Sequence, residues 1–227
     1  MKRMLLLLLL CMLVHNQGLW AQEERTQVLV ETSKGKLVLE LYNETPKHRD
    51  NFLRMVESKA YDGVVFHRVI REFVVQGGNL NSKGLGREQE LPDDSISGVI
   101  PAEIMTDLFV HERGALAAAR QSDEVNPGRV SSASQFYIVT GKYHTAFDLE
   151  EIMSQNGIKY TEAQKEGYMM RGGTPSLDGA YTVFGRLIEG WKVIDKIQRV
   201  ETDEVDRPIK DIVIKSMSIY IPKKKKK

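Results

Sequence analysis

Tyr61 to Asn79 reads YDGVVFHRVIREFVVQGGN, and the fold turns on this stretch. Val64 to Val69 and Phe73 to Gln76 are rich in β-branched and aromatic residues, with charged Arg71-Glu72 between them. That is the pattern of strand, turn, strand. Paired so, the segment gathers one guanidinium (Arg68), one large aromatic ring (Phe73) and one side-chain amide (Gln76). Few sites want one cation, one amide and much apolar surface, with no acid/base pair and no metal ligands. Gly77-Gly78 lets the chain turn sharply beside them.

Working outward, Thr26 to Glu31 and Lys36 to Tyr42 flank a Ser33-Lys34-Gly35 turn, which predicts a hairpin with Leu37, Leu39 and Leu41 on one face. Thr45-Pro46 is an N-cap followed by proline at the first helical position, and a helix follows over His48 to Lys59. Asn79 to Pro101 is loop-rich. Gly114 to Ala119, Gln135 to Val139, Tyr181 to Ile188 and Ile209 to Ile221 read as strands, and Gly190-Trp191 opens a second helix. Many short strands, turn signals and two short helices predict a mainly β protein, a closed antiparallel barrel with helical caps. Lys142 to Thr174 does not fit that pattern. It is long, polar and helix-prone, and reads as an insertion carrying one or two helices.

The chain has 227 residues, 41% hydrophobic and 28% charged, which suits a globular core. Its single cysteine, Cys11, allows no intrachain disulfide. Basic Lys2-Arg3, the apolar run Met4 to Val14 and Leu19-Trp20-Ala21 have the layout of a cleavable secretory signal. The run is short of the ~20 residues that span a bilayer, so no stable membrane insertion is expected after cleavage. The expected organisation is a signal peptide over 1–21, one domain over 22–222 and a lysine tail, Lys223 to Lys227. Without Lys2 and Arg3 the net charge of +1 becomes −1, and without the tail about −6. That balance argues against a nucleic-acid-binding domain.

Taken together, FHRVI, FVVQGG, GALAAAR (Gly114 to Arg120), SASQFYIV (Ser132 to Val139), LDGAYTVFG (Leu177 to Gly185) and the EGW helix start resemble the cyclophilin-type peptidyl-prolyl isomerases, over roughly Val28 to Ile219. The resemblance implies an eight-stranded barrel with two capping helices, cis/trans isomerisation of Xaa-Pro bonds, and no cofactor. It implies Arg68, Phe73 and Gln76 as catalytic, with Gln76 fixing the substrate backbone and orienting Arg68. Phe73, Val74, Tyr137 and Leu177 would line the proline slot. His67 would stand in the site wall. Ala119, Arg120, Gln135 and Tyr181 would complete the substrate groove, with the Arg120 backbone pairing with extended substrate. Gln135 and Tyr137 share one strand face and Phe136 takes the other. The chain departs from the family where Ser176 replaces a frequent Trp, Tyr181 a His, Val74 a Met and Tyr137 a Phe. Tight cyclosporin binding is therefore not expected.

No metal is expected, since His15, His48, His67, His111 and His144 show no paired ligand spacing. No G-x-S-x-G element supports a serine hydrolase. The sequence thus predicts a periplasmic or secreted, monomeric, bacterial prolyl isomerase acting on proline-containing polypeptides as exported proteins fold. The rival is a non-catalytic cyclophilin-like module or chaperone that only holds proline segments.

Overall fold

The computed structural model describes residues 24–86, 89–92 and 97–222. The expected signal peptide and the lysine tail lie outside the described residues. In chain order the strands are β1 (Gln27–Thr32), β2 (Gly35–Leu41), β3 (Arg68–Ile70), β4 (Val74–Gly77), β5 (Val99–Ile100), β6 (Ala115–Ala118), β7 (Ser131–Ser132), β8 (Phe136–Val139), β9 (Val183–Glu189) and β10 (Ile214–Tyr220). The helices are α1 (Pro46–Glu57), α2 (Ala146–Asn156), α3 (Glu162–Met170) and α4 (Trp191–Ile197). Among the described residues no helix is long and apolar enough to cross a membrane.

Eight strands form one curled antiparallel sheet in the order β10-β1-β2-β9-β6-β8-β4-β3, and β5 pairs with β7 apart from it. The hairpin joining β1 and β2 turns through Ser33-Lys34. Thr32 Oγ1 holds the turn, donating to the Gly35 carbonyl at 2.7 Å and accepting the Lys34 N–H at 3.0 Å. At the open edges of the sheet, the segments that precede β3 and β10 meet. Phe66 N–H donates to the Ile212 carbonyl at 2.9 Å, Gly63 N–H to Ile214 at 2.8 Å, and Ile214 N–H to Val64 at 2.8 Å. These bonds explain two shifts from the sequence-based boundaries. The strand expected from Val64 enters its ladder only at Arg68, and the one expected from Ile209 only at Ile214. The two-residue pairing of β5 with β7 is too short to leave a periodic signal.

Inside the curl, Phe136 is the centre of an aromatic cluster. Phe52 and Tyr61 meet it edge-on at 5.5 Å and Phe66 at 6.2 Å. Leu37, Leu39 and Leu41 are fully buried around it, as the alternation predicts. Both α1, through Phe52, Met55 and Val56, and α4, through Ile194 and Ile197, pack into this core. Thr45 is the N-cap position and Pro46 opens the helix, as expected, but the capping bond comes from elsewhere. The Thr45 side chain caps nothing, and its hydroxyl points back to the Tyr42 carbonyl at 3.5 Å. Glu103, from the loop after β5, caps the helix instead. It accepts the N–H groups of Lys47 at 3.1 Å and His48 at 3.0 Å, a carboxylate on the positive end of the helix.

The segment expected to be an insertion, 142–174, carries two helices, α2 and α3. Each opens with a reciprocal capping box, Thr145 with Asp148 and Thr161 with Gln164. Leu149, Tyr160 and Tyr168 pack on Val110 in a satellite core. The two roots of the insertion touch backbone to backbone at Gly141 and Gly173, where a Cβ on Gly141 would collide with the Gly173 backbone.

Gly78 ends β4 at a φ of +92°, and a Cβ there would strike the Ser134 carbonyl. Gly78→Ala is therefore expected to lower unfolding free energy by about 2–3 kcal/mol, readable by chemical denaturation.

Candidate active site

The site is a row of residues on the outer face of the curled sheet. Arg68 on β3 pairs with Gln76 on β4, Gln76 with Tyr137 on β8, and Tyr137 with Ala117 on β6. Cross-strand partners share a face, so these four project outward together, and residues two away join them. Val74, Ala115, Ala117, Ala119, Tyr137 and Val139 accordingly form an outer apolar cluster, with Phe73, Leu177 and Tyr181 packed against it. Their alternates Val69, Val75, Leu116, Ala118, Phe136 and Ile138 lie in the main core, inside the curl. The expected split between Tyr137 and Phe136 holds.

Phe73, Val74, Tyr137, Leu177 and Tyr181 thus meet in one apolar cluster, the candidate slot. Tyr181 stands edge-on to Tyr137 at 5.9 Å. The Phe73 carbonyl accepts the N–H groups of Thr140 at 3.0 Å and Gly141 at 3.1 Å, and the Thr174 hydroxyl at 3.3 Å. Both roots of the insertion therefore fix the backbone that carries the slot's Phe ring.

Arg68 stands beside the slot, 41% exposed, with Nε 3.4 Å from Asp206 Oδ2. Asp206 is itself placed by β3, since its carbonyl accepts the Val69 N–H at 2.8 Å. Gln76 faces Arg68 across the ladder, but its amide donates to Gln135 Oε1 at 3.0 Å. The expectation that Gln76 orients Arg68 is corrected here: the side chain that pairs with Arg68 is Asp206.

Beyond Gln76 a groove of ≈ 400 Å³ opens, with Gln76, Val99, Ala119, Arg120, Asn126 and Gln135 in its walls. The Arg120 side chain is turned away from solvent. It donates to the Ala180 carbonyl at 2.7 Å, pairs with Asp123 at 2.5 Å, and lies 4.5 Å over the Tyr181 ring. That contact carries Tyr181 against the slot. Among the described residues the Arg120 peptide has no backbone partner outside the regular elements, as a substrate-pairing edge would require.

His67 shares a second hollow with Arg68, Gln89, Leu91, Asp203 and Arg207. Its Nδ1 is buried without a partner. Burial, aided by Arg68 and Arg207 charge and opposed by a Val65 backbone bond, pushes its pKa down to about 4. His67 is therefore neutral at pH 7. The sign of the linkage follows. Below pH 6.5 the unfolded ring takes up a proton that the folded ring refuses until about pH 4. Stability should therefore fall across that window by about 2–3 kcal/mol. Urea denaturation at pH 7 and 4.5 should show a smaller loss in His67→Gln than in the parent.

Three residues of the site carry weaker sequence signals. Asp206 sits in an acidic stretch, Glu201 to Asp206, that reads as surface. His111 is a lone histidine. Asp178 is inside the LDG element but carries no role in the motif. Yet His111 Nε2 lies 2.9 Å from the Tyr137 hydroxyl, and its Nδ1 lies 2.7 Å from Asp178 Oδ1. Burial, with lesser contributions from Tyr181 and Asp178, holds the Tyr137 hydroxyl well above the ordinary tyrosine range, so it keeps its proton.

Elsewhere, Ser131 Oγ, His48 Nε2, His48 Nδ1 and Glu103 Oε2 are linked at 2.9 and 2.7 Å. This is the order of nucleophile, base and carboxylate. Ser131 is 1% exposed and the carboxylate is engaged in capping α1, so the trio is structural. Among the described residues no three His, Cys, Asp or Glu side chains gather as a metal ligand set.

Comparison with known proteins agrees with this geometry. The family described as "Cyclophilin type peptidyl-prolyl cis-trans isomerase/CLD" matches residues 27–219. A Staphylococcus epidermidis protein named "Putative peptidyl-prolyl cis-trans isomerase" is 34% identical over 200 residues, 87% of this chain and 93% of its own. A Staphylococcus haemolyticus protein of the same name is 31% identical over 199 residues, with the same shares. A crystal structure of a Cryptosporidium parvum cyclophilin-type peptidyl-prolyl cis-trans isomerase superposes with a TM-score of 0.64 at 26% identity, covering 88% of this chain and 99% of that one. A second structure of that protein, in the presence of the dipeptide Ala-Pro, gives 0.62 at 27% identity, covering 86% and 99%. With the family match spanning nearly all the described residues, and the row from Arg68 to Ala117 bordering its apolar slot, this chain belongs to the cyclophilin-type peptidyl-prolyl cis-trans isomerase family.

Proposed function

We propose that the protein accelerates Xaa-Pro isomerisation in exported polypeptides as they fold. The observation that carries this reading is the outward row of Arg68, Gln76 and Tyr137 beside one apolar slot. The slot takes the proline ring. Gln76, Gln135 and the Arg120 peptide hold the flanking backbone. Arg68 then faces the prolyl nitrogen. Twisting the bond out of plane breaks amide conjugation, the source of the ~18–20 kcal/mol barrier, and leaves a lone pair on that nitrogen. A guanidinium donating to the lone pair favours the twisted state over both planar ones. No proton needs to move, so no acid/base pair is required.

Export is supported by Lys2-Arg3 followed by the apolar run Met4 to Val14. The bonds between residues 63–66 and 212–214 support reading the curled sheet as a closed barrel. A monomer fits a groove that needs no second chain.

The test is nuclear magnetic resonance exchange on a panel of Xaa-Pro peptides with substoichiometric protein, residues 22–227. Cis and trans signals should broaden and merge. Line shapes that stay unchanged across the panel, with peptide binding retained, would leave the non-catalytic holding module in its place.

A further inference from the structure

The proline slot is wired to the insertion through four buried side chains. Asp178 is fully buried and accepts on both oxygens. Oδ1 takes the His111 backbone N–H at 2.8 Å and lies 2.7 Å from His111 Nδ1. Oδ2 takes the Tyr160 hydroxyl at 2.6 Å and the Tyr168 hydroxyl at 2.5 Å. Tyr160 lies between α2 and α3, and Tyr168 lies on α3, so both belong to the insertion. The Nδ1 contact places the ring proton of a neutral His111 on that nitrogen, which leaves Nε2 as an acceptor. The Tyr137 hydroxyl, 2.9 Å away, supplies the donor. The imidazole also lies nearly parallel to the Tyr137 ring, at 16° and 6.0 Å.

We infer that His111 is a positioning residue of the proline slot, holding the Tyr137 ring by its hydroxyl and tying it through Asp178 to Tyr160 and Tyr168 of the insertion. This deepens the proposed isomerase function and rests on it for its kinetic readout. Every member of the chain is buried, so no water replaces a lost bond and a change at one end is felt at the other. A phenylalanine at position 137 would fill the slot equally well but could not be held this way. The tyrosine hydroxyl thus has a use that slot-filling alone does not give it, and the insertion gains a route to the slot from outside it.

The experiment compares the parent with His111→Asn, Tyr137→Phe, their double variant, and the pair Tyr160→Phe with Tyr168→Phe. His111→Asn keeps an amide donor near Asp178 but withdraws the acceptor from Tyr137. It should raise KM for an Xaa-Pro peptide about 3- to 10-fold while kcat changes less than about 2-fold. It should add nothing on top of Tyr137→Phe. The Tyr137 ring-flip rate, read with 13C-labelled tyrosine, should rise in His111→Asn and in the Tyr160/Tyr168 pair. Should His111→Asn not fold, the Tyr160/Tyr168 pair, which keeps both rings, reads the same two quantities. Effects of His111→Asn and Tyr137→Phe that multiply in KM would overturn the inference. So would a parental flip rate in every variant that folds. A parent without isomerase activity would remove the isomerase reading alone, because the ring-flip comparison still decides whether the slot is held.

Discussion

Arg68→Ala should lower kcat/KM for Xaa-Pro peptides by roughly 10²–10³-fold, the usual effect of deleting one donor aimed at developing charge. Its fold should stay intact. Arg68 is half-exposed and its ion pair with Asp206 is 3.4 Å long and equally exposed, a kind of contact worth about 0–1 kcal/mol. The loss should fall on kcat, because the guanidinium serves the twisted state and not the planar one. Arg68→Lys should recover only part of the rate, since an ammonium on a flexible stem lacks the rigid fork. Asp206→Asn is the control for orientation. It leaves the guanidinium in place but loosens it, so its effect should be smaller. Exchange rates on one peptide, with circular dichroism melts alongside, read all three. An Arg68→Ala enzyme within about threefold of the parent would remove the guanidinium from the mechanism, because an effect that small is worth under ~1 kcal/mol.

The largest loss of stability is expected at Asp178→Ala, about 3–5 kcal/mol by urea denaturation. The carboxylate is fully buried with donors on both oxygens. Removing it strands the donors of His111, Tyr160 and Tyr168 where water cannot reach them. Asp178→Asn should cost clearly less. Its remaining oxygen can still serve His111, and the two tyrosine hydroxyls can turn to accept from its amide. A cost for Asp178→Ala below about 1 kcal/mol would mean that the insertion is not anchored at this carboxylate.

Alternation along Phe136-Tyr137 and the FHRVI and QGG elements made the sheet and the site row legible, because strand faces follow the period of two. The helices of Lys142 to Thr174 were legible from that stretch's polar, helix-prone composition, and the capping boxes that start them emerge in the structure. What could not be read was non-local. Glu103 caps a helix that starts 57 residues earlier, at Pro46, and nothing in either segment announces the other. Asp206 approaches Arg68 only after most of the sheet has been laid down between them in sequence. His111, Tyr160 and Asp178 are far apart in sequence and carry no shared spacing, so their network exists only in three dimensions.

The pairing of β1 with β10 sets Gln27 opposite Tyr220. The two ends of the domain are therefore neighbours, so the chain can be joined there and broken elsewhere. A short linker from residue 220 to residue 27, with new ends opened at Gly157, would leave every ladder of the sheet unbroken. Gly157 closes α2 in a left-handed turn, and nothing lies within 4 Å of where its Cβ would be. Such a circular permutant would carry its termini in the insertion, where cargo or a second domain could be attached without touching the sheet.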